Sequence, residues 1–182
     1  NANFRTAYEP LLPGCFHIPA PYTYRNPFNE TDPEKLAHLC VAALEDEIAL
    51  QRDYLAIEEV RFPERLLVKI DLPEQLERAR VPGMILQPLV ENSVRYAVAR
   101  STTPVHVWIE AFSEGEHLHL VVADDGPGLG DSAGGGFGIG LSNVRDRLRA
   151  RFGARARVLT GQVENGGYRT ELIMPLDFNN GR

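Results

Sequence analysis

Apolar residues along the chain change their spacing several times, and each change marks an element. From Glu34 onward Leu36, Leu39, Cys40, Ala43, Leu44 and Ile48 recur at intervals of three and four, the pattern of one helical face. Asp32 followed by Pro33 supplies an N-cap and a first-turn proline. The pattern predicts a helix running to about Arg61. A second stripe on it, Leu50, Tyr54 and Ile57, calls for a further neighbour, either the same domain's core or a second copy of the chain. Past Arg65 the period falls to two: Leu66, Val68 and Ile70 alternate with Leu67, Lys69 and Asp71, a strand, and a polar loop follows to Arg80. Residues 81–100 return to the helical period with Pro82 at their start. Residues 105–111 and 117–123 read as a hairpin around Gly115, 141–152 as a helix, and 155–160 and 168–175 as closing strands. His106, His117 and His119 fall on strands and are read as exposed positions, not ligands.

The first 33 residues break these patterns. Pro10, Pro13, Pro19, Pro21, Pro27 and Pro33 exclude regular helix there, and the aromatic residues among them suit an extended arm lying on a surface. The division expected is an N-terminal arm and helix over 1–61 and a folded domain over 62–178. A net charge of -6 argues against nucleic acid as a partner. The two cysteines, Cys15 and Cys40, have no metal-ligand spacing, which fits a reducing cytoplasm. No run of 18 apolar residues is present. The expectation is a soluble, cytoplasmic part, excised from a longer protein that reaches a membrane through other segments.

Chemistry enters at residues 81–100. With 100° per residue from Ile85, the positions Leu86, Leu89, Val90, Ser93 and Ala97 fall within about 40° to 140°, while Glu91 and Arg95 lie near 260° and Asn92 and Tyr96 near 0°. One flank buries and the other presents a carboxylate and a carboxamide. Two readings of Glu91 stand: a functional acid, or the surface partner of Arg95 four residues on. Pro88 inside this helix is expected to cost about 3 kcal/mol unless a kink accommodates it. Further on, a strand ends in Asp124-Asp125-Gly126-Pro127-Gly128, and a glycine-rich run from Gly134 to Gly140 opens into a helix. Glycines let backbone amides approach a ligand, and a helix N-terminus favours phosphate. Walker-type Gly-Lys-Ser/Thr is absent, and the glycines are not those of an early dinucleotide fingerprint.

Together these pieces resemble the ATP-binding domain shared by sensor histidine kinases, gyrase, mismatch-repair ATPases and a heat-shock chaperone, and within it the LytS and AlgZ group of sensor kinases. LEDEIALQRDYLAIEEVRF is similar to that group's linker helix, LQPLVENSVRYA to its Asn box, and DDGPG and GFGIGLSNVRDRL to its two glycine boxes. The resemblance implies an α/β two-layer sandwich of the Bergerat type, a mixed sheet with helices on one face. It implies ATP and Mg²⁺ as cofactors, with Asn92 as metal ligand and Glu91 as the base toward an attacking imidazole. Arg95 would counter phosphate charge, and Asp124 would accept from the adenine amino group beside Gly126 and Gly128. Gly136, Gly138, Gly140 and Leu141 would line the phosphates, with Asn143 supporting them and residues 129–137 as a lid. A response regulator and a homodimer mate are the implied partners.

This sequence departs from the group in places. Tyr96 stands where His is usual, Ala97 where Gly is common, and Tyr168 where Thr is common, so that one adenine-side hydroxyl contact is either lost or replaced by Thr170. Asn26-Pro27-Phe28-Asn29 echoes the phosphoacceptor motif without its histidine, and neither His17 nor His38 has the expected flanks. The implied function is the catalytic part of a two-component sensor histidine kinase. A same-fold ATPase or serine kinase, or a non-catalytic nucleotide-binding or dimerisation module, are the alternatives.

Overall fold

The computed structural model describes residues 31, 41–128, 137–163 and 166–178. A short strand β1 (Val41–Ala43) leads into α1 (Leu44–Arg61), so extended backbone interrupts the helical pattern that the sequence suggests from Glu34. Ala43 offers no side-chain cap; the first free amides of α1 are taken instead by the carbonyls of Ala79 and Glu77. β2 (Leu66–Asp71) follows, then a 3-10 turn (Glu74–Leu76) and β3 (Arg80–Pro82), which pairs antiparallel with β1. α2 (Gln87–Ser93) continues into a π-helical turn (Val94–Val98). β4 (Val105–Glu114), β5 (His117–Asp124), α3 (Phe137–Phe152), β6 (Arg157–Gln162) and β7 (Tyr168–Pro175) complete the order.

Five strands form one mixed sheet in the order β2-β4-β5-β7-β6, with β2 parallel to β4 and the other pairs antiparallel. Val105, Val107, Ile109 and Ala111 alternate inward along β4, and meet Leu118, Leu120 and Val122 of β5 with Leu172 and Met174 of β7. Helical residues Leu44, Ile48, Leu55, Leu89, Val90, Val144 and Leu148 cover this face, giving the helices-on-one-face sandwich expected.

Three expectations are corrected. The helix assigned to residues 81–100 begins only at Gln87, because Val81 and Pro82 pair with β1, a long-range contact that no local period reveals. Pro88 therefore lies in the first turn, where its missing N–H has no partner to lose, and carries no mid-helix cost. His119 is buried, not exposed: it bonds Glu171 Oε1 at 2.7 Å and stacks on Phe112 at 4.7 Å. β5 is the central strand, so neighbours on both sides cover even its outward positions. The second stripe of α1 is only partly covered: Leu50 and Tyr54 are half-buried, while Ile57 is 57% exposed.

Candidate nucleotide-binding site

A cleft opens between α2 and the ends of β5 and β7, lined among the described residues by Leu89, Asn92, Ser93, Tyr96, Ala97, Val122, Asp124, Gly128, Tyr168 and Thr170. Residues far apart in sequence meet here because α2 lies across the sheet face where β5 ends. The π turn after Ser93, closed by the Ala99 N–H on the Val94 carbonyl at 2.9 Å, widens the helix and seats Tyr96 and Ala97 on the cleft.

Asp124, at the end of the central strand, is 5% exposed. Ser93 Oγ donates to its Oδ2 at 2.9 Å, and the Gly126 N–H donates to its Oδ1 at 3.2 Å. Burial pushes its carboxyl above the usual carboxylate value, and the bonds from Ser93, Gly126 and the Tyr168 backbone oppose that push. Asp125, next in sequence, turns the other way. Its Oδ1 accepts the His106 N–H at 2.7 Å, and its Oδ2 meets His106 Nδ1 at 2.8 Å, so it ties the strand end to β4 outside the cleft. Of the two consecutive acids, only Asp124 is available to a ligand in the cleft.

Gly126 packs so tightly on Ala97 that a Cβ there would overlap the alanine side chain. Ala97, at the position where the resemblance leads one to expect Gly, is thus accommodated by the absence of a side chain at Gly126. Gly128 holds φ +76°, a conformation side chains resist. Gly140, in the first turns of α3, lies so close to α2 that its Cβ would stand 3.4 Å from Pro88 Cβ and 4.0 Å from Asn92 Nδ2. The N-terminal part of α3 is thereby placed beside Asn92.

The structure brings Asn92, Tyr96, Asp124, Gly128 and Thr170 onto one cleft, with Gly126 packed behind it and Gly140 beside it. Leu141 is buried against the core, Asn143 is exposed on α3, and Gly138 lies within α3. Gly136 and the rest of residues 129–136 fall outside the described residues. Glu91 and Arg95 are exposed on the outer flank of α2. Glu91 takes Gln87 as its partner, Nε2 to Oε1 at 2.8 Å, while the Arg95 guanidinium lies over the Tyr96 ring at 5.4 Å. Glu91 also stands near α1: the Tyr54 phenol is pushed up to about 12 by burial and then by the charges of Glu58 and Glu91.

Sequence reasoning placed Ser93 on the buried flank but missed its bond to Asp124. Its position four residues after Leu89 and four before Ala97 was the available signal, since a hydroxyl on a packed flank needs a polar partner. Gln87, four residues before Glu91, was missed as well.

The family described as histidine kinase-, DNA gyrase B- and HSP90-like ATPases matches residues 78–178. The chain belongs to that family, and membership of it supports ATP binding. Sensor histidine kinase YesM of Bacillus subtilis (strain 168) is 34% identical over 138 residues, which cover 74% of this chain and 24% of the relative. Sensor protein LytS of Bacillus anthracis is 29% identical over 143 residues, covering 72% and 24%. The chain thus spans about a quarter of the length of these relatives. Among solved structures, the catalytic domain of histidine kinase ThkA superposes with a TM-score of 0.55 at 18% identity, over 75% of this chain and 94% of that one. The shared fold is that of histidine kinase catalytic domains.

Proposed function

We propose that the chain is the catalytic part of a two-component sensor histidine kinase, which binds Mg·ATP and passes the γ-phosphoryl group to a histidine for relay to a response regulator. The observation that carries this reading is the pairing of a buried, preorganised Asp124 with Asn92 and Glu91, neighbours in sequence on the helix that lines the same cleft. The relatives sensor histidine kinase YesM and sensor protein LytS support the same assignment.

In this reading Asp124 accepts a hydrogen bond from the adenine amino group, in a space kept open by Gly126 and Gly128, with Tyr96 and Thr170 as further walls. Asn92 offers a neutral amide oxygen at the cleft. No cluster of three or more His, Cys, Asp or Glu suited to a metal is found among the described residues. A single hard oxygen donor fits Mg²⁺, which keeps most of its waters and takes phosphate oxygens as ligands. Bound there, the ion would neutralise phosphate charge. Arg95 and the glycine-rich run with Gly136, Gly138, Gly140, Leu141 and Asn143 are assigned to the phosphate side.

Transfer forms a bond from an imidazole nitrogen to the γ-phosphorus and breaks the bond to the β–γ bridging oxygen, leaving ADP. Glu91, exposed and oriented by Gln87, receives the imidazole proton. The acceptor histidine, the response regulator, a homodimeric state and a cytoplasmic location under a membrane-anchored parent belong to the same proposal. No helix among the described residues is long and apolar enough to cross a membrane. The test is transfer of label from γ-labelled ATP to a separately supplied histidine-bearing helical fragment. Labelled histidine supports the kinase reading. ATP binding without transfer to any histidine fragment would favour a non-catalytic module.

A further inference from the structure

The start of α2 is held by a side chain from another helix. Leu86, its N-cap residue, makes no side-chain cap of its own, and Pro88 in the first turn has no N–H. Glu47 of α1, fully buried, supplies the missing acceptor: its Oε2 takes the Met84 N–H at 2.7 Å and its Oε1 takes the Leu86 N–H at 3.0 Å. A carboxylate at this end of a helix also complements the helix dipole. Burial pushes the Glu47 carboxyl up, and its backbone bonds and the nearby Arg147 charge pull the other way.

Arg147 of α3 grips the same loop from the opposite side, donating through Nη1 to the carbonyls of Gly83 at 3.0 Å and Met84 at 3.2 Å. Between these clamps Met84 sits at φ +56°, a left-handed conformation that a non-glycine residue holds only when its surroundings impose it. Neither Glu47 nor Arg147 lines the cleft. Yet Glu91 and Asn92 follow less than two turns after the loop the two side chains fix, and Gly140 of α3 abuts Pro88 and Asn92.

We propose that Glu47 is a positioning residue for the nucleotide site: from the linker helix it sets where α2 begins, and so where Asn92 and Glu91 stand relative to Asp124. The inference rests on reading the cleft as the Mg·ATP site. Its consequence is that a shift of α1 reaches the nucleotide site through the Glu47 carboxylate.

The test is Glu47→Gln in the full chain, with Mg·ATP affinity titrated well below the thermal transition of the variant. An amide accepts one of the two backbone N–H groups and opposes the other, so the loop loses its seat without losing side-chain volume. A residue that merely stabilised the fold would leave the affinity of the folded protein unmoved. Positioning predicts a loss of about tenfold, together with faster exchange of the Met84 and Leu86 amides. Arg147→Gln, which frees the other side of the loop, should lower affinity in the same direction and serves as the test should Glu47→Gln fail to fold. Parental affinity within twofold in the folded variants, beside a parent that binds ATP, overturns this inference alone. A parent that binds no ATP overturns it along with the nucleotide reading beneath it.

Discussion

The inner flank of α2, with the strand end it packs on, and the outer flank of the same helix are built to different standards. On the inner wall Ser93, Asp124 and Gly126 are buried, bonded to one another and packed against Ala97. On the outer flank, less than one turn away, Glu91 and Arg95 face solvent, with a half-buried Gln87 as the acid's partner. A base-reading group gains from being dry and fixed before the ligand arrives, since ordering it afterwards would cost affinity. A group that must meet a histidine carried by another segment needs to be reachable. On the proposed function, the difference teaches that recognition is stored in the fold while transfer is left open to a partner.

Substitutions can break that division. Asn92→Ala removes the amide that both sides share, and transfer should fall on the order of 10³-fold or more, as when an electrostatic anchor of a transition state is lost, with weaker Mg²⁺-dependent ATP binding measured in parallel by calorimetry. Glu91→Gln should touch only the open side: label transfer to a histidine fragment drops by about 10²-fold while affinity stays within about threefold. Transfer at the parental rate would make Glu91 a surface residue. Ser93→Ala should touch only the buried side, weakening ATP about tenfold, the scale of one hydrogen bond to a charged group; an unchanged titration would mean that Asp124 does not depend on that hydroxyl.

The order of motifs made the cleft legible: the Glu91-Asn92 pair, the strand ending at Asp124 and the glycine-rich entry to α3 are local features of the chain, and the fold brings Asn92 and Asp124 onto one cleft with Gly140 beside Asn92. What escaped sequence reading was long-range. Val81 and Pro82 look helical until β1 pairs with them, and His119 looks exposed until β5 proves central. Glu47 sits in an apolar stripe with Leu44, Ile48 and Leu55, and no period reveals that its partners are backbone amides 37 and 39 residues away. Gly126 against Ala97 shows the reverse, a departure from the family pattern that the structure absorbs by close packing.

The central claim is that Asp124 reads the base, and ATP titration of the parent and Asp124→Asn from neutral pH downward tests it most directly. Burial raises the Asp124 carboxyl above the ordinary 3.8, so its contribution to stability is present below the unfolded value and lost as pH rises through the folded one. At neutral pH the ionised group therefore costs stability, and Asp124→Asn should melt no lower than the parent. Ionisation serves binding instead: the parent should lose affinity on acidification at a pH above the ordinary carboxylate range, while Asp124→Asn binds about 10²-fold more weakly at neutral pH and changes little as pH falls. An Asp124→Asn affinity within threefold of the parent at neutral pH would contradict the account.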